Sequence, residues 1–177
     1  MQSLVRFLVR ADDLVLKATL AVCGALLTVM VVVAGLGVFC RFVLHASLSW
    51  SEEFDSYLFV WLTCLGAAAG VKMRTHPEVR AIPDRLPPFL QALLANLTDI
   101  AVAALGIVFV VYGSDMIALM GTETAASLPI SMVYPYLAIP VGGGLLIWHA
   151  AVRIAVSLFS PASRAALAPA GAVPEHI

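Results

Sequence analysis

The sequence predicts an all-α membrane protein with four transmembrane helices and both termini on the cytoplasmic side. Three observations predict this class: composition, four long apolar runs, and the placement of basic residues between alternate runs. The chain is 62% hydrophobic and 12% charged, whereas soluble domains are roughly 45–50% apolar and about 25% charged. Its formal net charge of −1 offers no electrostatic basis for binding nucleic acid.

The first two spans are predicted from uncharged runs. Residues 18–40 contain no charge, and this run is long enough to cross about 30 Å of hydrocarbon at about 1.5 Å per residue. The second run, residues 56–71, is short, but Ser49 and Glu52 precede it in the S-x-x-E pattern of a capping box. The second helix is therefore predicted over residues 50–71.

The third and fourth spans complete a single membrane domain over residues 1–159. The third is predicted over residues 89–118, after Pro88, which suits the first position of a helix. It is longer than a straight crossing requires, so we expect it to tilt or protrude. The fourth is predicted over residues 133–157. The tail, residues 160–177, is rich in Pro and Ala without apolar periodicity, which predicts a disordered cytoplasmic segment.

The basic residues predict the orientation. Nine of the ten Lys and Arg residues lie before the first span, in the loop after the second, or from the end of the fourth onward. Arg41 is the exception, because it follows the first span on the opposite side. The positive-inside rule then places both termini in the cytoplasm.

Residues 3–18 predict an amphipathic helix ahead of the first span. The polar stripe consists of Ser3, Arg6, Arg10, Asp13 and Lys17. The apolar stripe consists of Leu4, Leu8, Ala11, Leu14, Val15 and Ala18. Such a helix is expected to lie in the cytoplasmic headgroup region and then turn into the membrane. The alternative is that it extends the first span into the cytosol.

Three carboxylates, Glu52, Glu53 and Asp55, stand at the start of the second span. A charge costs roughly 2.5–3.5 kcal/mol at the centre of a membrane helix, but this span starts at the outer rim, where the helix dipole favours negative charge. Arg41 ends the first span only a short loop away. We therefore predict an ion pair of Arg41 with Glu52 or Glu53; the alternative is that Arg41 reaches lipid phosphates.

One stripe of the second helix predicts a protein neighbour. Glu53, Tyr57 and Trp61 follow one another at i, i+4 and i+8, so a carboxylate and two aromatic rings share a face. Lower on this helix, Gly66 and Gly70 form a G-x-x-x-G element, which permits close approach of another helix.

The other polar or reactive residues favour structural interpretations. Asp99 lies in the cytoplasmic third of the third helix and is predicted to reach the rim or another helix rather than to relay ions. His149 is predicted to be interfacial. Cys23, Cys40 and Cys64 form no C-x-x-C pair and are interpreted as packing residues. No nucleophile, metal or phosphate motif is present, so no catalytic residue, cofactor or metal is predicted.

The order and spacing of several motifs resemble one family, the small membrane subunit (DctQ-like) of tripartite ATP-independent periplasmic transporters. The resemblance covers most of residues 15–155. Its most specific parts are "WSEE" from Trp50 to Glu53, the downstream Trp61 and Gly66, the basic loop with His76, and "YLAIP" from Tyr136 to Pro140.

The resemblance implies a multi-pass protein of the bacterial inner membrane that is not an enzyme. Its expected partners are a large membrane subunit, a periplasmic substrate-binding protein and membrane lipids. The large subunit would import an organic acid by sodium symport, and the small one would support it. The residues expected at the subunit interface or in structural roles are Arg41, Trp50, Glu52, Glu53, Tyr57, Trp61, Gly66 and Gly70.

Two other classes of membrane protein are alternatives. A four-helix membrane thiol oxidoreductase needs paired cysteines in its outer loops, and residues 42–49 and 121–132 contain none. A stand-alone small exporter needs a carboxylate deep in a span, and Asp99 is the candidate.

Overall fold

The computed structural model describes residues 2–46, 48–73 and 88–159. Its helices are α1 (Gln2–Phe42), α2 (Ser49–Met73), α3 (Pro88–Met120), α4 (Val133–Tyr136) and α5 (Ala138–Phe159). Four stretches are long and apolar enough to cross a membrane: Arg6–Phe42, Ser49–Met73, Leu93–Met120 and Val133–Val156. The predicted all-α class with four transmembrane helices is confirmed. The basic loop after α2 and the predicted tail, residues 160–177, lie outside the described residues.

Helix α1 is continuous over its 41 residues, a length of about 60 Å at 1.5 Å per residue. The segment of residues 3–18 and the first span therefore belong to one helix without a break between them. That the segment lies in the headgroup region stays a prediction. After α1 the chain turns at His45, whose φ is 52°, a left-handed conformation that histidine adopts more often than most residues. The short turn brings the end of α1 close to the start of α2.

The fourth span is divided into α4 and α5 at Leu137. Pro140 has no N–H to donate to the carbonyl of Tyr136, so the helical hydrogen-bond pattern is interrupted there. The backbone nevertheless stays helical, because Leu137 N–H donates to Val133 O at 2.9 Å and Val141 N–H to Leu137 O at 3.2 Å. Pro140 thus lies in the first turn of α5, where an N–H would have no partner within that helix.

Helix α5 is the centre of the arrangement, since it packs against α1, α2 and α3. Within the described residues, α3 contacts α4 and α5 but neither α1 nor α2. Two adjacent glycines permit this central position. A Cβ atom at Gly142 would lie 2.9 Å from Cys64 Cβ of α2, and one at Gly143 would lie 2.7 Å from Gly106 O of α3. The absence of side chains there allows the backbones to approach closely.

The core is built from small apolar residues, many of them on α5. Those that are fully or nearly fully buried include Ala68, Ala69, Ala138, Leu146, Ala150, Val152 and Val156. Large apolar side chains along α1 and α3 are exposed, among them Val31 at 63% and Leu97 at 61%. Such faces are compatible with a membrane, because hydrocarbon or the apolar helices of a partner solvate them as well as a protein core would.

Candidate functional site

Polar side chains meet at the two opposite ends of the helices. At the end holding the N-terminal part of α1, six residues form what we call the buried charge cluster, in which every side chain except that of Asp13, which is 55% exposed, is at most 10% exposed: Asp12, Asp13, Lys72, Asp99, His149 and Arg153. At the other end, Arg41, Glu52, Glu53, Tyr57 and Trp61 form the rim cluster. The two clusters differ in exposure, and this difference determines what each can do.

The first part of the buried charge cluster joins α1, α2 and α5. Asp12 of α1 is 0% exposed and accepts hydrogen bonds from Lys72 of α2 and from His149 Nδ1 of α5, the latter at 2.6 Å. Lys72 also donates to Asp13 at 3.1 Å. Because an ionised carboxylate only accepts hydrogen bonds, the Asp12 contact assigns the proton of the imidazole to Nδ1.

The second part adds α3. Arg153 of α5 forms an ion pair with Asp99 of α3 at 2.5 Å and donates to the carbonyl oxygen of Val71 in α2 at 3.1 Å. Their side chains are only 10% and 6% exposed. His149 and Arg153 are four residues apart, so they share one face of α5. That face therefore contacts polar groups of α1, α2 and α3 together.

Ion pairing within the cluster offsets the energetic cost of burying these charges. Three aspartates face one lysine and one arginine, and the imidazole of His149 donates to one of the aspartates. Removing one partner of a buried pair typically costs about 3–5 kcal/mol, because the other charge is left uncompensated. The cluster therefore favours one mutual arrangement of the four long helices over arrangements that would separate its members.

Sequence reasoning missed most of this cluster. It placed Asp13 on the polar stripe of the N-terminal segment and left Asp12 unassigned. Asp12 lies between Leu8 and Val15 on the apolar stripe, at helical spacing from both, and a carboxylate on an apolar stripe was the signal that could have found it. His149, predicted as interfacial, is instead fully buried. Asp99 contacts another helix, which is one of the two positions expected for it.

The first contact of the rim cluster is an ion pair between two exposed side chains. Arg41 donates to Glu52 Oε1 at 2.8 Å, and the two side chains are 58% and 76% exposed. Of the two acids proposed as partners, the structure thus selects Glu52. In the predicted capping box, the Glu52 carboxylate would accept from the backbone N–H of Ser49. In the structure this carboxylate accepts from Arg41 instead. An exposed pair of this kind contributes less than about 1 kcal/mol.

Glu53 has a different role, because it holds the loop between α3 and α4. Its carboxylate accepts a hydrogen bond from Tyr57 Oη at 2.6 Å, from the N–H of Ala126 at 2.9 Å and from the N–H of Ser127 at 2.6 Å. Nearby, Trp61 Nε1 donates to Tyr134 O at 3.1 Å. The stripe of α2 that was expected to need a protein neighbour finds one in the chain's own loop and in α4.

The remaining residues that were predicted at an interface, Trp50, Gly66 and Gly70, belong to neither cluster. Trp50 packs edge-on against Phe54, with ring centroids 6.1 Å apart. A Cβ atom at Gly66 would meet nothing within 4 Å among the described residues, and Gly70 is half-buried on the same helix. Within the chain, close approach to α2 instead involves Gly142. A place for these residues in a subunit interface stays a prediction.

The described residues contain no group of three or more His, Cys, Asp or Glu side chains suited to a metal ion. Cys23, Cys40 and Cys64 are free thiols. The arrangement is suited to hold helices and a loop in place, and neither cluster presents a nucleophile beside a base.

Comparison with known proteins places these features in a family context. A family model described as tripartite ATP-independent periplasmic transporters, DctQ component, matches residues 30–159. A putative TRAP transporter small permease protein of Haemophilus influenzae is 36% identical over 83 residues, or 47% of this chain and 52% of that protein. The sialic acid TRAP transporter small permease protein SiaQ of Vibrio cholerae is 26% identical over 114 residues, or 64% and 66%.

A longer protein also aligns with this chain. The isethionate TRAP transporter permease protein DctMQ of Oleidesulfovibrio alaskensis is 29% identical over 103 residues, which are 57% of this chain and 16% of that protein. The aligned part of the chain thus spans about half of the Haemophilus influenzae relative and a smaller part of the DctMQ protein.

Proposed function

Because the chain belongs to the family of the DctQ component of tripartite ATP-independent periplasmic (TRAP) transporters, we propose that it is the small permease subunit of such a transporter. In this proposal a periplasmic binding protein delivers an organic acid, and a large membrane subunit imports it with sodium. The names of two relatives, for sialic acid and isethionate, support an organic acid as the substrate class. The relative named permease protein DctMQ supports a large permease partner.

The role proposed for this chain is that of a rigid support for the large subunit in the inner membrane. The observation that carries it is the buried charge cluster, in which one face of α5 pairs with α1, α2 and α3. If the helices of this chain moved relative to one another during transport, they would have to break such contacts in each cycle, at a cost of about 3–5 kcal/mol for each uncompensated charge. A static support keeps them.

The distribution of charge also favours support over ion conduction. No Lys, Arg, Asp or Glu occurs in the sequence at residues 18–40, 56–71, 100–114 or 124–152. Charged side chains in transmembrane helices commonly mark ion or proton pathways, and here they are confined to the two ends. The sodium and substrate sites are therefore expected in the large subunit.

The two alternative classes fit less well. A thiol oxidoreductase would use paired cysteines, whereas the three free cysteines lie on α1 and α2 rather than in the loops of the rim end. A stand-alone exporter would use Asp99, whose carboxylate is bound to Arg153 at one end of the helices.

Reconstitution of the transporter tests the proposed function. We expect uptake into proteoliposomes to require this chain, the large membrane subunit and the binding protein together, and to rise with an inward sodium gradient. Replacing Cys23, Cys40 and Cys64 together with alanine should leave uptake intact. Transport by this chain alone would contradict the support role, and loss of uptake in the cysteine-free variant at normal yield would favour the oxidoreductase.

The acids of the rim supply a sharper control. Glu52→Gln should leave the sodium dependence of uptake unchanged, because this carboxylate is 76% exposed and paired with Arg41. An altered sodium dependence in an intact complex would mean that the rim acids take part in ion coupling.

A further inference from the structure

Four leucines form an exposed stripe at the beginning of α3. Leu90, Leu93, Leu94 and Leu97 follow one another at i, i+3, i+4 and i+7, so their side chains share one face of the helix. Each of them is between 38% and 61% exposed. Within the described residues, α3 contacts only α4 and α5. The four side chains, which we call the leucine stripe, therefore present an apolar surface that no other helix of the described chain covers.

The buried charge cluster shows where the hydrocarbon ends near this stripe. Asp13 is 55% exposed, and an exposed carboxylate is costly inside hydrocarbon. Its neighbour Asp12 contacts His149 of α5, so this part of α5 lies at the edge of the hydrocarbon. Arg153, one helical turn or about 6 Å farther along α5, contacts Asp99 of α3. Asp99 thus lies at the level of the lipid headgroups.

Most of the leucine stripe lies farther from the bilayer centre than Asp99. Leu93 and Leu90 precede it by six and nine residues, which is about 9 Å and about 14 Å along α3. A tilt of about 20°, the average for membrane helices, would shorten these distances by less than about a tenth. The headgroup layer is only about 5–8 Å thick on each side. Leu90 and Leu93 therefore protrude past the headgroups, where water rather than lipid would meet an uncovered leucine.

The composition and size of the stripe argue against two occupants. Residues 88–98 contain no Lys, Arg, Asp or Glu, whereas helices that lie on a bilayer surface are rich in basic residues on their polar face. A second copy of the chain also fits poorly. The four leucines together expose about as much surface as two fully exposed leucines, far below the roughly 800 Å² that each partner of a stable complex buries. The occupant is therefore a protein that also contacts this chain elsewhere.

We propose that the leucine stripe contacts the large membrane subunit, at the end of the chain that the positive-inside rule places in the cytoplasm. This inference rests on the proposed function, in which that subunit is a neighbour of this chain within the membrane. The outward face of α3 continues from Leu97 to Val108, which is eleven residues later and 46% exposed, so one apolar helix of the large subunit can cover both. The surface opposite the stripe is apolar and uncharged, because residues 88–98 offer no charge for pairing.

Cysteine labelling in everted membrane vesicles, which expose the cytoplasmic side, tests this surface. Leu93→Cys is introduced into the full chain after Cys23, Cys40 and Cys64 have been changed to alanine. We expect a membrane-impermeant maleimide to label this thiol rapidly in the chain alone, because water reaches it. With the large subunit coproduced, labelling should be at least about tenfold slower, which corresponds to about 90% of the chains in complex. Val108→Cys, the control on the same face, should stay unlabelled in both cases.

Leu90→Gln together with Leu93→Gln supplies a second measurement, which depends on binding rather than on labelling. This double variant should bind the purified large subunit in detergent about tenfold more weakly, as expected when roughly one leucine side chain is no longer buried. Leu119→Gln makes the same change at the other end of α3, where Leu119 is 68% exposed. This control should bind the large subunit as the unchanged chain does.

Two results would overturn this proposal alone. Slow labelling of Leu93→Cys without the large subunit would mean that lipid or another part of the chain covers the stripe. Equal affinities of the unchanged chain and the double variant would mean that the large subunit binds elsewhere. Failure of the unchanged chain to bind the large subunit at all would instead contradict the proposed function, and this proposal with it.

Discussion

Replacing Lys72 with methionine keeps an unbranched apolar side chain and removes the ammonium group that contacts Asp12 and Asp13. The imidazole of His149 would still donate to Asp12, which is 0% exposed, but no lysine or arginine would then contact that carboxylate. An uncompensated buried charge costs about 3–5 kcal/mol. For a chain of this size each kcal/mol lowers the melting temperature by about 2–4 °C, so we expect a decrease of roughly 6–20 °C.

Thermal unfolding of the full chain in detergent, followed by size-exclusion chromatography or circular dichroism, measures this decrease. The matched control is Lys17→Met, because Lys17 is an exposed lysine on α1 and surface changes usually stay within about 0.5 kcal/mol. Adding Asp12→Asn to Lys72→Met removes the stranded charge, and the double variant should regain at least half of the loss. Equal melting temperatures for Lys72→Met and Lys17→Met, or an additive double variant, would refute a coupled buried pair.

Three further changes probe the rim and the central packing. Glu53→Gln should loosen the loop between α3 and α4, seen as faster amide hydrogen exchange there; unchanged protection would show that the loop holds itself. Arg41→Glu should lower the free energy of unfolding by less than about 1 kcal/mol, because the pair is exposed. Adding Glu52→Arg should restore the lost stability. A larger loss would reveal that another subunit buries the pair. Gly143→Leu should destabilise the α3–α5 contact, because its added Cβ atom would lie 2.7 Å from the backbone oxygen of Gly106. Gly144→Leu is the control, since a Cβ atom there would meet nothing within 4 Å. Similar melting temperatures for the two variants would contradict this packing.

The extents of the second and third long helices could be predicted from the sequence closely, whereas α1 begins well before the predicted first span. Residues 50–71 and 89–118 were predicted where α2 is Ser49–Met73 and α3 is Pro88–Met120, so each boundary differs by one or two positions. Insertion into a bilayer depends on the hydrophobicity of a continuous stretch, and every backbone polar group inside it must be paired within that stretch. Both properties are local, and a local pattern is enough to predict them.

Part of the candidate site could also be predicted locally. The charge-free run that follows the three acids predicted that they lie at the start of α2. The short connection between the first two spans predicted that Arg41 lies near them. The stripe of Glu53, Tyr57 and Trp61 was recognised as a face that needs a neighbour, because helical periodicity determines which residues share a face. Periodicity contains no information about which neighbour a face receives.

Only the tertiary structure decided the partners. It directed Arg41 to Glu52, and it bound Glu53 to backbone groups 73 and 74 positions away in the chain's own loop. It also brought Asp12 to His149 across 137 positions. Such contacts depend on the rotation of each helix about its axis and on the lateral order of the helices, both of which arise from packing around the glycines and alanines of α5. No spacing along one helix encodes these quantities, so the buried charge cluster could be found only where the four helices meet.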